Sequence, residues 1–164
     1  MPPCLDVYVV STRRDRDTIT RFLNKWVDLG LSEDRGDEEL MLLSLGAIAP
    51  PSNDTDWEWE PAVSLTHIVD RGLQLPIRAF AVYLHPKDPS LSDVTLAFMS
   101  NGQVVFGVSL DDPTGDDQTV QRARSIMHTL AQDFDAEVAF VSCEAPPPLT
   151  ERDIPPTGGS VLYR

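Results

Sequence analysis

Residues 93–110 contain two strand-like runs, DVTLAFMS and QVVFGVSL, separated by Asn101-Gly102. Asn-Gly suits a two-residue type I′ turn, because both central residues of that turn take positive φ. A two-residue loop predicts Phe98 opposite Val105 and Leu96 opposite Gly107 on one face of the hairpin. Met99–Val104 and Ala97–Phe106 then share the other face. Both faces are largely apolar, so the hairpin belongs inside a sheet covered on both sides; the alternative is that one side awaits a partner.

The rest of the chain supplies material to cover such a sheet. LDVYVVS (5–11) is rich in β-branched residues and reads as a strand. Asp17 is the expected N-cap of a helix whose apolar stripe is Ile19, Phe22, Leu23, Trp26 and Val27, with Gly30 as its stop. LMLLSLG (40–46) is a short unbroken apolar run suited to a covered strand. Residues 47–60 read as loop, and Pro61 suits the first turn of a second helix carrying Val63, Leu65, Ile68, Val69 and Leu73. IRAFAVYL (77–84) is a strand, and a third helix over about 117–134 places Val120, Ala123, Met127, Leu130 and Phe134 on one stripe. AEVAFVSC (136–143) is the last strand. The expected order is therefore β-α-β-α-β-β-β-α-β, an α/β (α+β) single domain with a mixed β-sheet, a central hairpin and three amphipathic helices. The strand–helix–strand units predict parallel crossovers. Residues 1–144 form the domain, and the Pro/Gly-rich stretch 145–164 reads as a C-terminal tail, extended along the surface or partly disordered.

Of the 164 residues, 41% are apolar, which suffices for one core. No apolar run reaches the roughly 18 residues of a membrane span, and the N-terminus lacks a basic signal region, so a cytoplasmic, membrane-free protein is expected. Thirteen basic residues face 26 acidic ones, a formal net charge of −13. Lys25 and Lys87 are the lysines; the other basic residues are arginines. That field repels phosphate backbones, which disfavours nucleic acid, and attracts basic protein surfaces. Solubility alone also accounts for acidity.

Catalytic signatures are missing from the sequence. It has no GxGxxG, GxxxxGK[ST], GxSxG, HExxH or HxE…PCxxC pattern. An acetyltransferase would need a pyrophosphate loop where DDPTGDD stands, and its carboxylates would repel that ligand. His67, His85 and His128 share no i, i+4 spacing, and Cys4 and Cys143 form no CxxC pair; both thiols read as small buried hydrophobes. No catalytic residue, metal site or cofactor is expected.

Two segments stand out as binding candidates. Asp111, Asp112, Asp116 and Asp117 concentrate four carboxylates in one turn. Hard cations want such oxygens, but the spacing is not that of an EF-hand, and Asp is an ordinary helix cap, so a turn with an Asp116 or Asp117 cap is expected. Asp54, Asp56, Trp57, Glu58, Trp59 and Glu60 combine aromatic faces with carboxylates on a loop. That combination complements Arg or Lys, unless the tryptophans plug the core edge.

In size, acidity, preference for arginine over lysine and lack of catalytic motifs, the chain resembles the immunity proteins of bacterial toxin–immunity systems. The resemblance implies an inhibitor that neutralises a cognate toxin by direct binding, with a basic toxin domain as protein partner. The alternatives are a metal-dependent enzyme using the Asp111–Asp117 carboxylates, and a self-associating adaptor or assembly protein paired through its hairpin.

Overall fold

The computed structural model describes residues 3–33, 40–45, 57–62, 64–74, 79–112, 115–156 and 161–163. In chain order its elements are β1 (Cys4–Ser11), α1 (Arg16–Trp26), α2 (Leu29–Glu33), β2 (Leu40–Leu45), β3 (Trp57–Ala62), α3 (Leu65–Gln74), β4 (Phe80–Leu84), β5 (Asp93–Phe98), β6 (Val104–Asp111), α4 (Asp117–Asp133), β7 (Ala136–Cys143), a 3₁₀ turn (Glu151–Asp153) and β8 (Val161–Tyr163). The expected mixed α/β order is present, with α2, β3, the 3₁₀ turn and β8 added to it.

The strands form one eight-stranded sheet in the order β3-β2-β4-β5-β6-β1-β7-β8. Each described neighbouring pair is antiparallel. The crossovers nonetheless run in the expected sense. β6 and β7 both lie antiparallel to β1, so they are parallel to each other with β1 between them. β1 and β2 are likewise parallel, separated by β4, β5 and β6.

The hairpin is central, but its register differs by one residue from the expected one. Phe98 pairs with Val104, Leu96 with Phe106 and Thr95 with Gly107. The Met99 amide donates to the Gln103 carbonyl (2.9 Å), leaving Ser100, Asn101 and Gly102 as a three-residue loop. Only Gly102 has positive φ, +87°, the position at which glycine costs least. A one-residue slip moves one strand's side chains to the opposite face. The result sorts them by size. Val94, Leu96, Phe98, Val104, Phe106 and Val108 face α1, α3 and α4, whereas Ala97, Met99 and Val105 lie on the other side.

Three amphipathic helices cover the first face because their buried stripes match it. Ile19, Phe22 and Leu23 come from α1, Leu65, Ile68 and Val69 from α3, and Ala123, Met127, Leu130 and Ala131 from α4. The α1 cap is Asp15 instead of Asp17; its carboxylate accepts from the Thr18 amide at 2.8 Å. Gly30 does not stop the helix. Val27 ends α1 by bridging to Pro86, and Gly30 lies inside α2. Pro61 does not open a helix either: it sits in β3, and α3 begins at Leu65, where Ser64 Oγ accepts from the His67 amide at 3.1 Å. β3 is the terminal strand of the sheet, a place that tolerates proline.

The second face is covered by the segment after β7. Leu149 is buried against Tyr8, Ala97, Met99, Val105 and Phe140, with Ile154 packed beside them. The Ser100 amide donates to the Leu149 carbonyl at 3.0 Å, tying this strap to the hairpin tip. An Asp153 carboxylate oxygen caps the 3₁₀ turn by accepting from the Leu149 and Thr150 amides. β8 then adds to β7. Residues 145–156 thus carry packing, and 161–163 strand pairing, that a Pro-rich composition conceals.

Gly72 shows how tightly helix meets sheet. A Cβ there would come within 2.2 Å of the buried Phe98 ring, which also stacks on Phe80 at 4.7 Å. Gly→Ala inside a helix ordinarily gains up to about 1 kcal/mol. Here overpacking of about 2–4 kcal/mol should win, a net loss of about 1–3 kcal/mol for Gly72→Ala. Urea denaturation measures it. A gain in stability would mean that the Phe98 ring has room to move.

Candidate functional site

Asp54 and Asp56 lie outside the described residues. Trp57, Glu58, Trp59 and Glu60 were expected in a loop, but they form β3, paired with Leu45, Ser44, Leu43 and Leu42. The alternation Trp-Glu-Trp-Glu has the period of a strand, and that period prevails over the loop-forming Pro, Asn and Asp residues before it.

The acidic turn divides by role. The Asp116 carboxylate caps α4, accepting from the Thr119 amide at 2.7 Å. Asp112 is 7% exposed. Its carboxylate accepts from the Asp116 amide at 3.2 Å, and its own amide donates to Pro3. Asp117 is exposed in the first turn of α4, where the helix dipole favours a negative charge. Asp111 is exposed at the end of β6 and accepts from Ser92 Oγ (2.7 Å) and from the Cys4 thiol (3.7 Å). Among the described residues, no three His, Cys, Asp or Glu side chains converge on a metal position.

The structure does not bring these two segments together. β2, β4 and β5 stand between β3 and β6, which at the spacing of paired strands is about 19 Å. The register also places Trp57 and Asp111 at opposite ends of the sheet, since Trp57 lies at the Leu45 end of β2 and Asp111 beside Cys4.

Asp111 instead joins a different constellation, on the face away from the helices. Alternate residues of β1, β4, β5 and β6 put Asp6, Tyr8, Tyr83, Asp93, Thr95 and Ser109 there. Tyr83 pairs with Thr95, Thr95 with Gly107, Gly107 with Tyr8, Asp93 with Ser109, and Ser109 with Asp6. Ser109 Oγ donates to Asp6 Oδ1 (2.6 Å), and the Ala145 amide donates to Asp6 Oδ2 (2.9 Å). Tyr8 donates its hydroxyl to the Ala145 carbonyl at 2.8 Å. Both bonds to Ala145 depend on Glu144, which turns the chain through φ +50° and hands β7 over to the strap. Tyr83 remains 46% exposed, with Asp93 exposed diagonally across from it; Asp111 and Glu144 are exposed beside Cys4, farther across the same end of the sheet.

Burial raises the Asp6 carboxyl above its ordinary value; the Ser109 and Ala145 hydrogen bonds oppose that rise and the Glu144 charge adds to it. Burial, then Asp6 and Asp93, likewise push the Tyr83 phenol up. Tyr8 is raised by burial and by Asp6. Burial, Asp111 and Asp6 raise the Cys4 thiol. A thiol held protonated in an acidic corner is a poor nucleophile. Cys143 was expected to be buried but is exposed, and the two thiols are not joined in a disulfide. The corner therefore offers negative potential and aromatic surface, with no activated nucleophile.

Polar residues at alternate positions of otherwise apolar strands (6 and 8, 93 and 95, 109 and 111) were the available signal for this face. It becomes readable only once the register is known. Both lysines line a separate open cleft of about 240 Å³ with Trp26 and Asp88. Lys25 pairs with Asp133 and Lys87 donates to the Asn24 carbonyl, so both ammonium groups are engaged within the protein. The cleft is also smaller than the roughly 300 Å³ at which small-molecule sites begin.

Among the described residues, no helix is long and apolar enough to cross a membrane. No protein-family model and no curated protein matches the sequence. The fold is similar in general outline to a chain of the 1.75 Å crystal structure of the toxic C-terminal tip of CdiA from Pseudomonas aeruginosa in complex with immune protein, with a TM-score of 0.44 and 18% identity over 88% of each chain.

Proposed function

We propose that this chain is a non-catalytic, acidic binding protein of the immunity type, which neutralises a basic toxin by direct contact. The observation that carries the proposal is the exposure of Tyr83, Asp93, Asp111 and Glu144 toward one end of the sheet on a chain of net charge −13. Its contact residues are the exposed Asp111 and Asp117, with the edge strand Trp57–Glu60 as a second, separate contact. Complementary charge of this kind speeds encounter and suppresses wrong partners.

Two rival functions fit the molecule less well. A metal enzyme using the acidic turn would need carboxylates that are otherwise occupied by backbone amides, as those of Asp112 and Asp116 are. An adaptor pairing through its hairpin would need an uncovered apolar face. The helices cover one face of β5–β6, and the strap with its neighbours covers the apolar part of the other.

The test uses the purified product of the neighbouring open reading frame. Reversing Glu58, Glu60, Asp111 and Asp117 to lysine together should slow association by about tenfold at low salt, with the difference shrinking at physiological ionic strength. Asp112 is left intact because it is buried and bonded to the start of α4. Surface-plasmon resonance reads both rates. Unchanged association would reduce the acidity to a solubility feature.

A further inference from the structure

We infer that the corner of the sheet formed by Tyr83, Asp93 and Asp111 is a seat for an arginine side chain projecting from a protein partner. The inference rests on the proposal that the chain binds a basic protein, and it specifies where and through which residue type.

Three features point to that occupant. Tyr83 is a large aromatic side chain, 46% exposed, lying on a sheet face instead of at a loop tip. The strap is anchored toward the hairpin tip, where Leu149 packs on Ala97 and Met99, and it leaves this corner open. Asp93 lies diagonally across from Tyr83, since Tyr83 pairs with Thr95; diagonal neighbours are about 7–8 Å apart, within reach of one guanidinium. Thr95, paired with Tyr83 and fully buried, forms the floor beneath them.

Arginine suits these features better than lysine. Its planar guanidinium stacks on a phenol face while its edge donates to a carboxylate, whereas an ammonium is a compact, strongly hydrated point charge. Asp111 extends the acceptor surface on one side, and its own bonds come from Ser92 and Cys4. Asp6 contributes field from below without offering an exposed oxygen.

The probe is a short acetylated Gly-Arg-Gly-Arg-Gly amide, with its lysine counterpart as control, titrated into the ¹⁵N-labelled full chain at low ionic strength. The largest amide shifts should fall at residues 83, 93–95 and 109–111. Tyr83→Ala and Asp93→Asn should each weaken the arginine peptide by about fivefold or more, and Tyr83→Phe by less than about twofold; the lysine peptide should bind about threefold more weakly. Tyr83 is about half exposed, so each variant is titrated well below its own melting temperature, and Tyr83→Phe controls for any change in packing. Shifts centred on 57–62 or on α4, or arginine binding indifferent to both substitutions, would overturn the site. The same two variants are then measured against the product of the neighbouring reading frame. Parental affinity in both overturns the arginine seat and leaves the toxin proposal standing. If that product does not bind even the parent chain, the toxin proposal fails, and the peptide titration alone decides the seat.

Discussion

Phe106→Ala should lower stability by about 3–5 kcal/mol, the largest single loss expected from this core. Phe106 is fully buried on β6, with its ring 4.6 Å from Phe22 of α1 and 4.7 Å from Phe134 at the end of α4. Phe22 and Phe134 also meet each other edge-on at 5.6 Å. The three rings therefore couple two helices to the middle of the sheet. Truncating the central ring removes apolar contact and leaves a void that flanking backbone cannot readily close, because strand pairing holds β6 between β5 and β1. Equilibrium urea unfolding at constant slope would measure the loss. A cost below about 1.5 kcal/mol would mean that α1 and α4 collapse onto the gap.

Arg14→Met should cost about 3 kcal/mol, mainly from polar groups that lose their donor. Nη1 donates to the Met99 carbonyl at 2.8 Å and reaches the Gln103 carbonyl at 3.4 Å. Nε donates to the Gly72 carbonyl at 2.9 Å, joined there by Nη2. The guanidinium also lies over the Phe98 ring, 4.9 Å from its centroid. One half-buried side chain before α1 thus fastens the end of α3 to the neck of the hairpin. Burial pulls its pKa below the ordinary arginine value, and it stays charged throughout the working range. Lysine carries the charge but lacks the fork, so Arg14→Lys should recover less than half of the loss. Thermal and urea unfolding of the three proteins would decide. A loss under about 1 kcal/mol for Arg14→Met would show that water replaces the guanidinium at these carbonyls.

Nothing in the sequence marked Arg14 as special. It is one of several arginines near the N-terminus, and the carbonyls it serves are 58, 85 and 89 residues away along the chain. The candidate face has the same character. Asp6, Tyr83, Asp93 and Asp111 come from four strands, and only pairing makes them neighbours. The acidic turn was legible as capping chemistry, because an aspartate before a helix stabilises the nearest amides wherever the helix packs. Asp116 does so here.

Local interactions explain what the sequence alone determined. Apolar stripes at helical spacing marked α1 and α4, β-branched runs marked β1 and β7, and Asn101-Gly102 marked the reversal between β5 and β6. Each of these signals is a pattern legible within a single short stretch of chain. Tertiary structure decided what depends on competition between distant surfaces. It slipped the hairpin by one residue, because that register puts Phe98 and Phe106 together under the helices and leaves Ala97, Met99 and Val105 for the strap. It drew Trp57–Ala62 into the sheet as β3, where β2 supplies the backbone partners that a loop would lack. And it folded residues 145–156 back across the sheet: burying Leu149, together with the Asp6 and Tyr8 bonds to Ala145, offsets the entropy of ordering a proline-rich segment.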